Sequence, residues 1–461
     1  MGTIKQVIEG DYCIGCGVCP LLDSNLSIAM NDDGEYQAVR SEDTETSPAD
    51  VVCPFANAAL NEDILGKALF SKQQGIKHDD AIGYYLKTYV GYAISDGFRD
   101  RGSSGGMVSW VISQLFSSDK IDAVIHVKES SEQGLMYSYQ VSRSIGEMEK
   151  GAKSKYYPIE LSGVLEYVRT HDERFAIVGV PCFIKAIRQL ETVNVTVASR
   201  IQYHIGLVCG HLKSTFFALS EAWEAGIPPQ DVTLVDFRYK LPGCAASDYA
   251  IKAEGVVEGE KAEVIVPTRE LSTTNWGYGY FKYNACEYCD DVLAETADIT
   301  CGDAWLPGYD ADSGGTNVVV VRSQEMLDII DSKMDEVHLE EVPPEVIAQS
   351  QRSGLRHRRE GLAYRLYLKD KKKEWRPTKR VQASDRIPYL RKKVYEYRME
   401  LSEQSFVAFR EALKTTEGMK RFVQIMEPIV RKYRRVDNPL HRRLLRKMKT
   451  VSRKIQTKLN K

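Results

Sequence analysis

The segment Cys13-Ile14-Gly15-Cys16-Gly17-Val18-Cys19-Pro20 decides how the first part of this 461-residue chain folds. Three cysteines spaced in this way can wrap one corner of an iron–sulfur cubane, and the two glycines let the backbone turn its amides towards the sulfurs. Cys53, followed by Pro54, resembles the remote ligand of a bacterial ferredoxin. A structural zinc site is the alternative, although zinc sites more often pair two C-x-x-C units. We therefore predict one 4Fe-4S cluster, with the ligands Cys13, Cys16, Cys19 and Cys53.

The chain is predicted to divide into three regions, the first of which contains this cluster. Residues 1–65 form a bacterial ferredoxin-like 4Fe-4S unit, in which Asn31–Glu35 predicts a hairpin turn and Phe55–Leu60 predicts a helix. A polar linker, residues 72–80, leads into a body over residues 82–345. Helix signals there alternate with short apolar runs: Met107–Phe116 and Leu161–Val168 with Ala123–Val127, Phe175–Val180 and Val318–Val321. This alternation favours an α/β fold (mixed α+β), with helices covering a mixed sheet.

The cysteine content indicates a reducing compartment. Ten cysteines, several of them in C-x-x-C spacing, fit metal ligation better than a secreted disulfide framework, which is the alternative. The first residues carry no basic stretch leading into an apolar run, and no apolar stretch approaches the roughly 18 residues that span a bilayer. We expect a cytoplasmic protein of two or three compact units.

Charge is distributed unevenly along the chain. Residues 351–461 contain 34 Lys and Arg against 11 Asp and Glu, whereas residues 1–350 contain 28 against 53. Region 346–461 is therefore predicted to be a basic helical C-terminal region, laid on the body or projecting from it, with a basic amphipathic helix over 438–449. Such a helix can dock on the acidic body, on an acidic protein partner, or peripherally on the anionic inner face of a membrane. Nucleic acid is not an expected partner, because no reading motif accompanies the charge.

A second group of cysteines lies in the body. Cys286 and Cys289 form a C-x-x-C unit, and Cys301 lies nearby. Cys182 and Cys209 each follow an apolar run, which would place them at the carboxyl ends of strands, where α/β sheets hold their sites. Buried small side chains are the alternative for these two. The remaining Cys244 is interpreted as a structural thiol.

Six spaced segments carry a family resemblance: Arg101-Gly-Ser-Ser-Gly-Gly106, Lys153-Ser-Lys155-Tyr156, Val178-Gly-Val-Pro-Cys182, Gly206-Leu-Val-Cys209, Cys286-Glu-Tyr-Cys289 and Ala297-Asp-Ile-Thr-Cys-Gly-Asp303. Their order resembles the β subunit of coenzyme F420 (deazaflavin) reducing hydrogenases and dehydrogenases, and also the plant and cyanobacterial reductases of 7-hydroxymethyl chlorophyll. The resemblance covers roughly residues 1–325. It implies an iron–sulfur flavoprotein with FAD and a second 4Fe-4S cluster, whose ligands would be Cys182, Cys209, Cys286 and Cys289. Cys301 is the rival for a ligand position.

The flavin contacts are predicted from position and from the resemblance. The chain has no G-x-G-x-x-G fingerprint. Ser103, Ser104, Gly105 and Gly106 instead precede an apolar helix, whose amino end can hold a phosphate or the pyrimidine edge of a flavin, although an ordinary helix start is the alternative. In the family this segment lies against the flavin. Two lysines, Lys153 and Lys155, can neutralise the pyrophosphate or the reduced flavin, unless they are solvated surface side chains.

Four further positions are weaker candidates. Asp303 and His211 are candidate proton donors, with an N-cap aspartate and a surface histidine as the alternatives. Residues 237–240 present Arg238 among aromatic neighbours, either towards an anionic ligand or outward from a strand. Asn317 is predicted to lie either in a flexible turn that closes over the site or in a simple loop. No catalytic residue is assigned.

The predicted function is that of an oxidoreductase in which FAD and two 4Fe-4S clusters pass electrons to a carrier such as ferredoxin or a deazaflavin. Hydride is exchanged with a small-molecule substrate or the deazaflavin, because flavin links two-electron and one-electron chemistry. The first alternative is an electron-transfer subunit without its own substrate. A second is a regulatory protein in which clusters act as structural staples. The sequence leaves the substrate, the direction of electron flow and the oligomeric state open.

Overall fold

The structure is a computed structural model that describes residues 2–438. Its α-helices are α1 Ile4–Glu9, α2 Glu62–Phe70, α3 Phe98–Arg101, α4 Met107–Ser117, α5 Ile145–Glu149, α6 Ser162–Thr170, α7 Pro181–Glu191, α8 Val195–Arg200, α9 Thr215–Glu224, α10 Gln324–Ser332, α11 Pro344–Ser350, α12 Arg352–Arg356, α13 Leu362–Lys372, α14 Tyr389–Leu413 and α15 Met419–Asp437. The strands are β1 Leu26–Met30, β2 Tyr36–Arg40, β3 Lys77–Asp79, β4 Gly83–Tyr85, β5 Lys87–Ala93, β6 Ala123–Glu129, β7 Tyr137–Ser142, β8 Phe175–Gly179, β9 Ile201–Leu207, β10 Val232–Tyr239, β11 Ala250–Val257, β12 Glu260–Pro267, β13 Ile299–Asp303, β14 Asn317–Val321 and β15 Val337–Glu341.

An eight-stranded mixed sheet organises the body, in the order β15-β5-β14-β13-β9-β8-β6-β7. The four central strands β13, β9, β8 and β6 pair in parallel, and antiparallel strands flank them on both sides. Strand β8 is buried along its whole length, as its run of apolar residues requires for a central strand. The prediction of a mixed sheet covered by helices is confirmed.

The two faces of this sheet build different cores. Alternate residues of β6 and β8 point to opposite faces, so Ile125 and Ile177 pack with α6, α7 and the N-terminal segment. Val124 and Ala176 pack on the other face, with α4 and α10. The N-terminal cysteine segment therefore shares one apolar core with the body.

The N-terminal unit contains the predicted hairpin, since β1 and β2 pair on either side of Asn31–Glu35. The helix predicted over Phe55–Leu60 is wrong, because these residues form turns. Asn57 donates its backbone N–H to the Gly2 carbonyl at 2.8 Å and accepts from the Thr378 amide at 2.9 Å. These tertiary bonds override the helical preference of the alanine-rich segment, and the helix begins only after the N-cap Asn61.

The C-terminal helices pack onto the body. Apolar residues of α14 and α15 share a core with α9 and with the three-stranded antiparallel sheet β10-β11-β12. Their basic neighbours reach buried acids of the body: Arg365 Nε lies 2.9 Å from Glu287 Oε2, and Arg380 Nη1 lies 2.8 Å from Glu295 Oε2. Basic residues of region 351–438 thus form ion pairs with acidic residues of the body. The predicted helix over 438–449 lies outside the described residues, apart from Asn438.

None of the helices within residues 2–438 has the length and apolar character needed to cross a bilayer.

Candidate functional site

The first cysteine group consists of Cys13, Cys16, Cys19 and Cys53, which converge in the apolar N-terminal core. Burial is the largest cause that raises the pKa values of these thiols, to about 12 for Cys53, and repulsion from other thiols of the group adds to it for Cys16, Cys19 and Cys53. Backbone amides point at the sulfur of Cys13, with Ala38 N at 3.2 Å and Gly15 N at 3.4 Å. Amide donors around converging thiols are the environment that stabilises thiolate bound to metal.

The two glycines of the motif are required by the backbone geometry. Gly15 and Gly17 have φ values of 61° and 83°. A Cβ on Gly15 would lie 2.1 Å from the Tyr36 carbonyl oxygen, and one on Gly17 would lie 2.6 Å from the Leu161 amide nitrogen. Any side chain at these positions would therefore displace the loop that gathers the sulfurs.

The second cysteine group consists of Cys182, Cys209, Cys286 and Cys289, which come from three separate parts of the body. Cys182 is the second residue of α7, just after β8, and Cys209 follows β9, so both lie at the carboxyl ends of neighbouring parallel strands, as predicted. Burial, followed by repulsion from the other three thiols, raises the pKa of Cys182 well above its usual range. The structure therefore brings together all four residues named from the resemblance.

The two groups lie next to each other. Cys182 also experiences the charge of Cys16, so the second group is in electrostatic reach of the first. Tyr139 lies between them: burial and then the thiols of Cys182 and Cys16 raise its pKa, and its hydroxyl donates to the Val178 carbonyl at 3.0 Å. Tyr139 packs near Phe183, with 6.2 Å between the ring centroids, in the same buried core as Cys16 and Cys19.

Cys301 and Cys244 stand apart from both groups. Cys301 lies on β13 in the core of the opposite sheet face, and burial alone raises its pKa to about 12. Cys244 lies in a turn, where its amide donates to the Leu241 carbonyl. Neither position places its sulfur among the other thiols.

Each of the two cysteine groups offers four thiols as its donor set. Within residues 2–438, no group of three or more His, Cys, Asp and Glu side chains is arranged around one metal ion. In a cubane each thiolate binds a different iron, so four sulfurs surround the cluster instead of meeting at one point. Four thiols with amide donors and apolar walls fit such a cluster.

A cavity of about 940 Å³ opens beside the second group. Its wall includes Cys209 and Cys301, the carboxyl ends of β8 and β9, and the segment that precedes α4. Large, partly apolar cavities at the carboxyl ends of strands are where α/β proteins bind their ligands.

The segment Ser103–Gly106 lies on this wall except for Gly105. Ser103 Oγ accepts from the Ser154 amide at 2.7 Å, and Ser104 Oγ donates to the Thr316 carbonyl at 3.0 Å. Gly105 lies behind the wall, where a Cβ would be 2.8 Å from the Gly91 carbonyl oxygen. The serines are thus held by the neighbouring loops, and Gly105 allows the close approach of the sheet.

The two predicted lysines have different surroundings, although both line the cavity. Lys153, at φ 75°, forms an ion pair with Asp236. Lys155 donates to the carbonyls of Gly151, at 2.6 Å, and Lys153, at 2.8 Å, and burial lowers its pKa to about 7. Neither lysine is a solvated surface side chain.

The structure corrects three of the weaker predictions. Asp303 is the last residue of β13 and pairs with Arg238 at 3.2 Å, so it is not an N-cap. Arg238 does not point outward from its strand, because its guanidinium lies over the Tyr249 ring. Asn317 begins β14 and is fixed there, since its side chain accepts from the Met107 amide at 3.2 Å and donates to the Gly302 carbonyl at 3.0 Å. It does not lie in a flexible turn.

His211 is also not a surface residue. Its ring lies 4.5 Å from the Trp276 ring, its Nε2 is buried without a partner among the described residues, and burial lowers its pKa well below the usual range. Lys213, which the sequence analysis missed, donates to the Tyr280 carbonyl at 2.5 Å, and burial lowers its pKa to about 7. The available signal in the sequence was their position directly after Cys209, since residues 209–213 all line the cavity.

The fold and the site define an α/β protein with two adjacent groups of four cysteines beside a large cavity. Residues 88–166 match the N-terminal part, and residues 172–346 the C-terminal part, of the coenzyme F420 hydrogenase/dehydrogenase β subunit family. The chain belongs to this family, as the six segments had indicated.

Two curated relatives have similar sequences. The coenzyme F420-dependent sulfite reductase of Methanocaldococcus jannaschii is 21% identical over 74% of this chain. This chain spans only 49% of the length of that relative. One of the subunits of the F420H2 dehydrogenase of Methanosarcina mazei is 23% identical over 74% of this chain and 87% of its own length. A chain of the F420-reducing [NiFe] hydrogenase complex from Methanosarcina barkeri aligns with a TM-score of 0.47 and 16% identity, over 63% of this chain and 96% of that one.

Proposed function

We propose that this chain is an iron–sulfur flavoprotein oxidoreductase. One 4Fe-4S cluster would be held by Cys13, Cys16, Cys19 and Cys53, a second by Cys182, Cys209, Cys286 and Cys289, and FAD would occupy the cavity. The flavin supplies hydride exchange and single-electron transfer, and the clusters supply single-electron transfer. Reduced deazaflavin or a small molecule would be the hydride partner, and a carrier such as ferredoxin would exchange electrons with the chain.

The observation that carries this proposal is the order of the three sites. Cys182 of the second group is in electrostatic reach of Cys16 of the first, and Cys209 forms part of the cavity wall. A continuous series from cavity to second group to first group is the arrangement that an internal electron path needs. Clusters with a purely structural role would not require this order.

The residues around the cavity have defined tasks in this proposal. Ser103, Ser104 and the amino end of α4 would hold the phosphate or the pyrimidine edge of the flavin. Lys155 fixes the loop Gly151–Lys153 through its carbonyl contacts. Arg238 is fully charged beside Asp303 and contributes a positive potential on the wall. Tyr139 and its apolar neighbours exclude water between the cysteine groups.

The proposal is tested by anaerobic purification of the full chain. We expect about eight iron and eight acid-labile sulfide per chain, with one extractable FAD. The variant Val108→Trp fills the cavity from α4 and should lose the flavin while keeping its iron, whereas Val195→Trp on the exposed part of α8 should keep both. A colourless protein that contains zinc would contradict the proposal.

A second candidate function is that of an electron-transfer subunit without a substrate of its own. The relative from Methanosarcina mazei, which this chain covers for 87% of its length, is named as a dehydrogenase subunit. Stopped-flow mixing with reduced deazaflavin distinguishes the two functions. Rapid bleaching of flavin and clusters in the isolated chain supports the oxidoreductase, and bleaching only by a reduced protein carrier supports the subunit.

A further inference from the structure

Arg358 occupies an unusual stretch of backbone. Residues His357–Gly361 form a π-helical turn between α12 and α13. Such turns are rare and frequently mark functional sites, because they re-aim a side chain that a regular helix would point elsewhere. The turn lies beyond residue 346, where the match to the family ends, so it belongs to the basic C-terminal region.

The charge of Arg358 is buried without a carboxylate partner. The residue is 2% exposed, its Nη2 donates to the Gly210 carbonyl at 2.6 Å, and its Nε has no hydrogen-bond partner among the described residues. Within residues 2–438 no Asp or Glu lies within ion-pair distance of it, whereas the equally buried Arg365 pairs with Glu287. A guanidinium remains charged in proteins, and an isolated buried charge is costly, so its compensation must come from another anion.

Arg358 lies beside the second cysteine group, because the Gly210 carbonyl that it contacts is adjacent to Cys209, and Arg358 and Cys209 line the same cavity. Although burial alone would lower the pKa of Arg358, the charges of Cys289, Cys209 and Cys286 raise it above its ordinary value. All three belong to the second cysteine group. Arg358 therefore places a fixed positive charge beside the second cysteine group.

We propose that Arg358 is the fixed counter-cation of the second cysteine group and raises the reduction potential of the cluster held there. The inference rests on the proposed function, because it needs a cluster on these cysteines. Reduction adds one negative charge to the cluster, and a nearby cation in a dry environment stabilises the reduced state more than the oxidised state. The C-terminal region would thus set the driving force between the two clusters.

Redox titration of the anaerobic full chain, followed by electron paramagnetic resonance, tests this inference. In Arg358→Met the ratio of reduced to oxidised second cluster at a fixed potential should be at least tenfold lower than in the wild type. For a one-electron couple this corresponds to a reduction potential that is lower by about 59 mV. The first cluster should not change. Arg358→Lys, which keeps the charge, should recover most of the shift.

The matched control is Arg359→Met, which removes the same charge from the same π-helical turn. Arg359 Nη1 contacts the Asp290 carbonyl at 2.7 Å, and its Nη2 lies 3.6 Å from Glu295 Oε1. Its charge therefore faces a carboxylate rather than the thiols, and the potentials of this variant should equal those of the wild type.

The outcomes separate the inference from the proposed function. An unchanged potential in an iron-replete Arg358→Met protein overturns the inference and leaves the proposed function intact. If Arg358→Met fails to assemble the second cluster, its assembly in Arg358→Lys supports the role of the charge, and its absence from both variants overturns it. A wild-type protein without iron removes the basis of both proposals.

Discussion

The two cysteine groups differ in how the chain builds them. All four thiols of the first group lie within one short unit between Cys13 and Cys53, and the loop that holds them depends on local glycines. The second group is assembled from two strand ends and a distant C-x-x-C segment, with Arg358 added from beyond the family region. The first group depends on local backbone conformation, and the second depends on the whole fold.

Their electrostatic surroundings differ as well. A backbone amide points at a sulfur of each group, Ala38 N at Cys13 and Leu212 N at Cys286, both at 3.2 Å. The second group in addition has the buried guanidinium of Arg358 beside it and borders the cavity. In the proposed function, the cluster that exchanges electrons with the cavity ligand needs a reduction potential adjusted to that ligand. The cluster that exchanges electrons with an external carrier needs a stable loop that protects it from solvent. The contrast between the groups matches these two tasks.

Removal of single ligands gives the largest expected effect. Cys16→Ala and Cys286→Ala should each lose about four of about eight iron atoms, and the losses should be additive in the double variant, because each thiol belongs to one cluster only. Iron analysis and electron paramagnetic resonance of the anaerobic proteins measure this. Cys244→Ala is the control and should retain all its iron. Loss of all iron from either single variant would show that the eight cysteines do not form two independent sites.

Loss of a C-terminal ion pair should have the next largest effect, on the stability of the body that holds the second group. Arg380→Met removes the cation shared by the buried carboxylates Glu295, Glu62 and Asp290, which keep Arg359, Lys185 and Lys379 as their other partners. Removal of one partner of a buried pair costs about 3–5 kcal/mol in free energy of unfolding, and the remaining cations should keep the loss at the lower end of that range. Denaturant unfolding of the full chain measures it.

The control for this variant is Arg421→Met, at an exposed position of α15. It should change the free energy of unfolding by less than about 0.5 kcal/mol. Equal effects of the two substitutions would mean that the acidic body does not depend on the basic helices.

The sequence predicted the convergence of Cys13, Cys16 and Cys19 from their spacing, because a C-x-x-C-x-x-C segment keeps its sulfurs together in almost any fold. Cys53 was added because Cys53-Pro54 resembles the remote ligand of a bacterial ferredoxin. Cys182 and Cys209 were placed at strand ends correctly, since buried apolar runs identify central strands. Their meeting with Cys286 and Cys289 came from the family resemblance. Their convergence depends on the order of the strands, which periodicity does not contain.

One error and one omission show what local patterns miss. Phe55–Leu60 has helical propensity, yet Asn57 exchanges hydrogen bonds with Gly2 and Thr378, far away in the chain. Arg358 was not singled out among the basic residues of region 346–461, and only the π-helical turn and its contact with Gly210 reveal it as buried. Both depend on contacts between segments that are distant in sequence.

A smaller effect is expected from the backbone of the first group. Gly15→Ala would force φ 61° on a residue with a Cβ and place that Cβ 2.1 Å from the Tyr36 carbonyl oxygen, at a cost of about 1–3 kcal/mol. Gly75→Ala is the control, because Gly75 has φ 77° but no atom near its Cβ position. Unfolding of the iron-free proteins compares the two. If both lose the same stability, the contact with Tyr36 contributes nothing.

The smallest expected effect concerns Cys301, the rival ligand. Its side chain packs on the sheet face away from the second group, and burial alone shifts its pKa. Cys301→Ala should therefore keep all its iron and an unchanged spectrum of the second cluster, and lose only about 1 kcal/mol of stability from the core. Cys209→Ala, at the end of the neighbouring strand, should lose the second cluster. The opposite pattern, with iron lost from Cys301→Ala and retained in Cys209→Ala, would assign the fourth ligand to β13 and shift the second cluster towards the other face of the sheet.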